Sequence, residues 1–396
     1  MHDIAIVGGG PGGLYAASQL AARGFDVAVF EEHVSAGQPV HCTGVLAVEA
    51  FDEFDISRTC ILNPLATARF FGPSGSSFEY TTPKTEAVVI DRAAFDHNLY
   101  ERAVAAGARV SADTRVADVQ VTDESVTIIP VEGSPHAAVE ARVAILACGA
   151  NYTLQRRLGL GIASAHLQSA QLEVPAEAPG DTEIYFGSRF APKGFAWAVP
   201  VHRGDRRFAR VGLMCERDAR EHFDRFLESI ARRWQIDLRL CGDGGLAPRS
   251  KVLPLGPIER TYSKRILAVG DAAGLVKATT GGGIYYSLLS GGLAADVLTD
   301  ALEENDLSES SLAVYEERWR GILGEELSAQ TTLREIANDL SDNDIESLFE
   351  LARTNGIMPI IRRTATFNRH RDLILSLLSH PPARRLLVRR VLGWDS

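Results

Sequence analysis

The sequence predicts an α/β fold in which a parallel-sheet domain is interrupted by an antiparallel sheet and followed by helices. Three observations predict it. The chain opens on a β-branched strand, Ile4–Val7, that runs into Gly-x-Gly-x-x-Gly at Gly8, Gly10 and Gly13. Residues 163–217 change to the alternation of apolar and polar residues that marks strands. Beyond residue 300 the periodicity is helical to the end, broken by Gly356 and by Pro381-Pro382.

The first βαβ unit is the most specific signal. Leu14–Arg23 reads as a helix with Leu14, Ala17, Leu20 and Ala21 on one face, and Asp26–Phe30 as a second strand ending at Glu31. In such a unit Gly8 permits the tight turn, Gly10 lets the backbone approach a pyrophosphate, and Gly13 lets the helix pack closely on the strand. The diphosphate sits on the free N–H groups and positive dipole end of the helix. Glu31, about 20 residues on, can accept hydrogen bonds from a ribose. Strand, glycines, helix and acid in this order make a Rossmann-type dinucleotide site.

Three later segments extend that domain. Val88–Asp96 ends a strand on Asp91-Arg92 and starts a helix that continues over Phe95–Gly107. Ala144–Ala150 is a strand closing on a small-residue turn at Gly149, after extended segments at Thr114–Thr122 and Ser125–Pro130. Arg265–Gly274 is a buried-strand pattern closing on Gly270-Asp271, where an aspartate can bond the hydroxyls of a ribityl chain, which NAD lacks. Between them, Ser169–Val174, Thr182–Phe186, Phe195–Val201 and Phe208–Met214 alternate as an inserted antiparallel sheet, followed by a helix over residues 219–236. Gly281, Gly282 and Gly283 begin a helix over Ile284–Leu298, leaving N–H groups free for the anionic edge of a reduced flavin. The domain boundaries expected are 1–162 and 250–300 for the two parts of the nucleotide domain. The inserted substrate-capping sheet takes 163–249, and the helical region 301–396.

Taken in order, these four segments resemble the FAD-dependent oxidoreductases of the aromatic-hydroxylase and geranylgeranyl-reductase type. The resemblance implies a Rossmann-type FAD-binding domain, with Arg92 and Asp271 touching the flavin nucleotide. Two more segments carry specificity: His41-Cys42-Thr43-Gly44-Val45 and Pro192–Pro200. Both resemble the geranylgeranyl reductase family, whose marker strand is Pro-x-x-Tyr-x-Trp-x-Phe-Pro and whose early loop has a cysteine followed by glycine. Here Phe195 replaces the tyrosine and Val199 the phenylalanine, so a phenol hydroxyl is absent. The resemblance implies that the first loop runs toward the isoalloxazine and that Phe195, Trp197 and Pro200 meet the substrate. His41, Cys42, Tyr285 and Tyr286 are candidate proton donors.

Three functions fit these motifs. The first is an FAD-dependent reductase that protonates an isoprenoid double bond and quenches the cation with hydride from reduced FAD. The second is a flavin monooxygenase or halogenase; a halogenase needs a lysine above the ring, and neither Lys84 nor Lys193 sits in such a context. The third is a protein that binds FAD without catalysis. With no second glycine fingerprint, the reductant is either transiently docked NAD(P)H or a reduced carrier protein.

Composition narrows the setting. The 396 residues carry 45% hydrophobic and 23% charged side chains, with no run near the ~20 apolar residues that span a bilayer. A strand starts at once, so no signal peptide is expected. Five widely spaced cysteines without a Cys-x-x-Cys pair predict neither disulfides nor a metal site, and point to a reducing cytoplasm. A net charge of −10 disfavours nucleic acid. Charge is uneven, however. Residues 301–350 hold fourteen acids against three arginines, whereas 361–396 hold eight arginines and two acids. The basic end can fold back on the acidic stretch or make peripheral contact with an anionic membrane. A helix over Pro382–Leu392 would gather Leu387, Val388, Val391 and Leu392 on one arc for a hydrophobic prenyl or lipid surface.

Overall fold

The computed structural model describes residues 1–241, 245–354 and 356–388. Its first layer is an eight-stranded sheet. His2–Val7 lies between Val27–Phe30 and Val139–Leu146, all parallel, with Ile6 opposite both Val29 and Ile145. Arg109–Ser111 and Ile266–Ala268 extend the sheet on either side, also in parallel. Strands buried on both faces read as continuous β-branched runs, which is why Ile4–Val7 and Val143–Leu146 show no alternation. The Pro11–Ala22 and Ile284–Glu303 helices cover one face. The hairpin Val116–Val121/Val126–Pro130 pairs antiparallel onto Val139–Leu146.

The second layer is a seven-stranded sheet in the order Arg249–Pro254, His166–Pro175, Arg206–Cys215, Phe195–Arg203, Thr182–Tyr185, Thr67–Phe71, Ser77–Thr81. One face is made of small and branched residues, Ala170, Ala196, Ala198, Ala209 and Val211 among them, and the Ala219–Trp234 helix lies on it. Trp234 is fully buried there and donates to Glu183 Oε2 at 2.8 Å. The pleat sends Phe195, Trp197 and Val199 to the opposite face, toward the nucleotide domain.

This sheet is larger than the 163–249 segment expected from sequence. Thr67–Phe71 and Ser77–Thr81 come from the first part of the chain, and Arg249–Pro254 runs into the expected second part of the nucleotide domain. Thr182–Tyr185 would otherwise be an open edge; it is closed by parallel pairing with Thr67–Phe71. Five-residue strands rich in Phe and Tyr give too short an alternation to be told from loop.

The helical C-terminal region is docked on both layers. Glu309–Asn338 packs back on the parallel sheet through buried Tyr315 and Trp319, which donate to Ala268 O at 2.8 Å and Thr261 Oγ1 at 2.9 Å. The Asp342–Arg353, Met358–Thr364, Arg371–Ser379 and Pro381–Val388 helices then close over the edge of the second sheet. Here the basic end partly folds back: Arg371 pairs with Glu325 at 3.0 Å, and Ala383 and Leu387 are buried against protein. The lipid-facing arc is therefore corrected at Leu387, which points inward. Arg389, Arg390, Val391 and Leu392 lie outside the described residues. Among the described residues no helix is long and apolar enough to cross a membrane.

Candidate active site

A single cavity of about 1810 Å³ runs between the two sheets. Ordinary small-molecule sites hold about 300–1,000 Å³, so this one has room for a dinucleotide and a second, sizeable ligand.

Its nucleotide end is built by the first βαβ unit. Gly8 adopts φ +112°, and a Cβ there would lie 2.3 Å from Ala147 O. A Cβ at Gly13 would lie 2.2 Å from Gly8 O. Both are fixed by the fold. Gly10 is different: its φ is −82° and a Cβ would meet nothing within 4 Å. The fold itself does not need glycine at Gly10, and the bare backbone there leaves room for a ligand to approach closely. Glu31 is held in place by N–H donors from Gly9 at 2.6 Å and His33 at 2.9 Å, with lone pairs left for ribose hydroxyls. Gly149, at φ +64°, also lines the cavity.

A second helix end faces the same space. Gly283 caps the Ile284–Glu303 helix with no side-chain bond, just as Gly10 caps Pro11–Ala22. Two uncapped helix N-termini on one cavity supply N–H groups for two anionic features of a ligand, which fits the pyrophosphate and the N1–C2=O edge of FAD. Asp271 sits beside Gly283, whose Cβ would lie 2.6 Å from Asp271 Oδ1, and it pairs with Lys251 at 2.9 Å. Gly281, at φ +71°, and Gly282 complete the turn.

The loop at 41–44 enters between these ends. Cys42 Sγ accepts the Gly44 N–H at 3.3 Å and faces Arg92 and Lys251. Arg92 is tied to Asp96 by two bonds, Nη2 to Oδ2 at 2.8 Å and Nε to Oδ1 at 3.2 Å, in the cavity wall rather than on the surface. His41 lines the cavity with Nδ1 buried and unpartnered. Burial, then the charges of Lys251, Arg249, His33 and Arg92, hold its pKa below the usual value.

The inserted sheet anchors that loop. Thr43 Oγ1 donates to Gln171 Oε1 at 2.6 Å. Arg210, 1% exposed, donates from Nη1 to Thr43 O at 2.6 Å and Ile90 O at 2.9 Å, and from Nε to Glu173 Oε2 at 2.7 Å. Sequence reading missed Arg210, although an arginine inside the apolar strand Phe208–Met214 was the available signal. It also missed Lys251 and Asp96.

Under the inserted sheet, which roofs it, the cavity becomes apolar. Trp197 lies over its cross-strand partner Gly212, where a Cβ would sit 2.5 Å from the indole. From Trp197 the rings touch in sequence: Phe195 at 5.6 Å, Phe186 at 6.0 Å, Phe349 at 6.0 Å, Phe78 at 5.1 Å and Phe70 at 5.0 Å between centroids. All six line the one cavity. Ile361, Leu377 and Leu387 of the C-terminal helices wall its far side.

Two expected site residues lie elsewhere. Tyr285 is not in the cavity wall; it packs edge-on against Phe54 and donates to Glu53 Oε2 at 2.6 Å. Burial and then Glu53 push its phenol pKa upward, away from service as an acid. Pro200 is also off the cavity, because an even-numbered position on this strand faces away from Phe195 and Trp197. Its carbonyl accepts from Asn63 Nδ2 at 3.2 Å. Tyr286, the other phenol, bonds Asn368 O at 3.2 Å outside the cavity. His41 and Cys42 remain in the wall.

A family model described as FAD binding domain matches residues 1–320. The chain belongs to this FAD-binding family. The digeranylgeranylglycerophospholipid reductase of Methanocaldococcus jannaschii is 30% identical over 367 residues, covering 88% of this chain and 90% of that protein. Digeranylgeranylglycerophospholipid reductase 2 of Methanothermobacter thermautotrophicus is 31% identical over 363 residues, with 88% and 90% covered. Among solved structures, a geranylgeranyl bacteriochlorophyll reductase-like protein of Thermoplasma acidophilum superposes with a TM-score of 0.84 at 25% identity, covering 99% and 98%. A halogenase in complex with FAD superposes at 0.67 with 15% identity over 98% and 85%, which is a likeness of fold. The chain is a geranylgeranyl reductase-like, FAD-dependent oxidoreductase.

The Gly10 argument makes a test. Gly10→Val should leave the thermal stability of the flavin-free protein close to wild type and abolish FAD retention, read by flavin absorbance after gel filtration. Equal loss of apoprotein stability would show that Gly10 serves the fold.

Proposed function

We propose that this protein reduces isoprenoid double bonds in a prenyl lipid, adding a proton and a hydride. The observation that supports the reading is the continuous run of six aromatic rings from Trp197 to Phe70, opening into the same cavity as the glycine turns. A prenyl chain is a repeated apolar unit with π-bonds, and it matches a long apolar channel better than a compact aromatic substrate does. Bound FAD supplies the hydride; the residues of this chain do the rest. Gly8–Gly13 and Glu31 hold the nucleotide, Arg92, Asp271 and Gly281–Gly283 its flavin portion. Phe195 and Trp197 exclude water and hold the alkene against the roof of the cavity. The proton comes through His41 or Cys42, the candidate donors that line the cavity.

The halogenase reading is less well supported. Lys193 reaches the cavity wall, but its ammonium is engaged by Glu216 at 2.7 Å. The reductant is NAD(P)H or a reduced carrier protein.

The substrate also bears on the outer surface. Arg362, Arg363, Arg369, Arg384 and Arg385 are exposed on or between the short helices that wall the apolar arm, and none has an ion pair among the described residues. These helices would meet an anionic membrane peripherally, each nearby arginine contributing roughly 1 kcal/mol at low salt.

Two outcomes are expected. Anaerobically reduced holoprotein mixed with geranylgeranyl lipids should reoxidise, and the lipids should gain mass in steps of two hydrogens by mass spectrometry; incorporation of oxygen or halogen would replace this reading. The protein should cosediment with anionic but not zwitterionic liposomes, and high salt should release it; binding indifferent to both would remove the membrane contact.

A further inference from the structure

Behind the flavin-facing glycine turn lies a cation that the reaction above does not use. Lys277 is 4% exposed and does not reach the cavity. Its backbone is bonded into the turn from both sides: its N–H donates to Gly282 O at 3.1 Å and its carbonyl accepts the Gly281 N–H at 2.8 Å. Its side-chain stem runs directly under Gly282, where a Cβ would lie 3.6 Å from Lys277 Cδ. Any charge on Nζ is therefore held close behind Gly282, on the side of the turn away from the cavity, while the Gly281 N–H is spent on the Lys277 carbonyl.

The surroundings of Nζ are neutral in its first contacts. It donates to Phe367 O at 2.8 Å and Asn368 Oδ1 at 2.9 Å, and the rings of Phe367 and Tyr286 lie at 4.7 Å and 5.8 Å. The two nearby carboxylates are engaged by others. Glu326 accepts from the backbone of His370 and Arg371 and from Gln330, while Glu49 accepts from Asn368 Nδ2. Two further cationic side chains stand near: Arg369, which faces the Tyr286 phenol, and Arg334, which donates to Ala278 O and Thr279 O. The His370 ring is itself held neutral by burial and by the Lys277 charge. Burial lowers the Lys277 pKa to about 7, with Glu326 and Glu49 opposing. Near neutral pH a small change in local potential decides whether Nζ carries its third proton.

We propose that Lys277 is a proton-coupled counter-charge for the flavin-facing turn, its ammonium forming when negative charge builds at Gly281–Gly283 and dissolving when that charge leaves. The proposal rests on assigning this turn to the flavin. A hydride donor, or a one-electron carrier acting twice with a solvent proton, delivers two electrons and one proton, so the site gains one negative charge. Lys277 Nζ takes one further proton from water and cancels it. When hydride passes to the alkene the negative charge goes, and Nζ returns its proton to water. Reciprocity requires that a protonation favoured by reduction also favours reduction.

The test is the pH dependence of the flavin reduction potential over about pH 7–9, above the value to which burial lowers Lys277. Each proton taken up per two electrons changes the equilibrium tenfold per pH unit, or about 30 mV. Wild-type holoprotein should fall by about 60 mV per pH unit, two protons per two electrons. Lys277→Met should fall by half as much and have the lower potential at pH 7. Lys277→Arg, permanently charged, should share the shallow slope but keep the higher potential. A two-proton slope retained in either variant, or a one-proton slope in wild type, overturns the proposal. If Lys277→Met does not hold flavin, wild type and Lys277→Arg decide it. Wild-type protein that binds no flavin would instead defeat the assignment of the turn.

Discussion

The arrangement of this molecule depends on the buried guanidinium of Arg210. It belongs to the inserted sheet, yet its hydrogen bonds end on Thr43 and Ile90, backbone of the nucleotide half. Gly44 has no side chain at the point where Arg210 Nη1 would lie 2.5 Å from its Cβ. Glu173 balances the charge, and Arg203 bridges Glu173 to Asp91, the residue that caps the helix carrying Arg92. Burial alone would raise the Glu173 pKa; the bonds from Arg203 and Arg210 hold it below the usual value, so the carboxylate stays ionised. Removing one partner of a buried pair typically costs about 3–5 kcal/mol, because the other charge is stranded. Through this network the inserted sheet, the His41–Gly44 loop and the start of the Arg92 helix share one frame of reference.

Charge pairing continues into the cavity. Arg92 with Asp96 and Lys251 with Asp271 are two cation–acid pairs, contributed by both halves of the chain. They leave the nucleotide end polar while the adjoining aromatic run stays apolar. That gradient is what the proposed function requires of one cavity, a charged cofactor at one end and a water-insoluble chain at the other. The C-terminal helices complete it, since Leu377 and Leu387 close a wall that the two sheets leave open.

Much of this was legible in the sequence because local rules governed it. The Gly8–Gly13 turn, Glu31, the Gly270-Asp271 strand and the alternating strand around Trp197 each carry their own signature. What escaped reading depends on tertiary contact. Thr67–Phe71 and Ser77–Thr81 form a hairpin that joins the inserted sheet only through the pairing of Thr67–Phe71 with Thr182–Tyr185, a contact no local pattern announces, so Phe70 and Phe78 carry no sequence signal as wall residues. Tyr285, one of four candidate donors, directly follows the glycine turn in sequence, but its helix carries it to Glu53 instead. Pro200 was misplaced by a single step of the strand period. Lys251 and Arg210 have no motif; their importance lies in partners many residues away.

That the inserted sheet positions the His41–Gly44 loop can be tested by hydrogen–deuterium exchange in Arg210→Lys. Lysine keeps a counter-charge for Glu173 but lacks the planar fork that reaches two carbonyls and a carboxylate together. Amides of residues 41–46 should exchange faster in the variant, turnover should fall, and Pro11–Ala22 with bound FAD should be unchanged. Exchange at 41–46 equal to wild type would contradict the account.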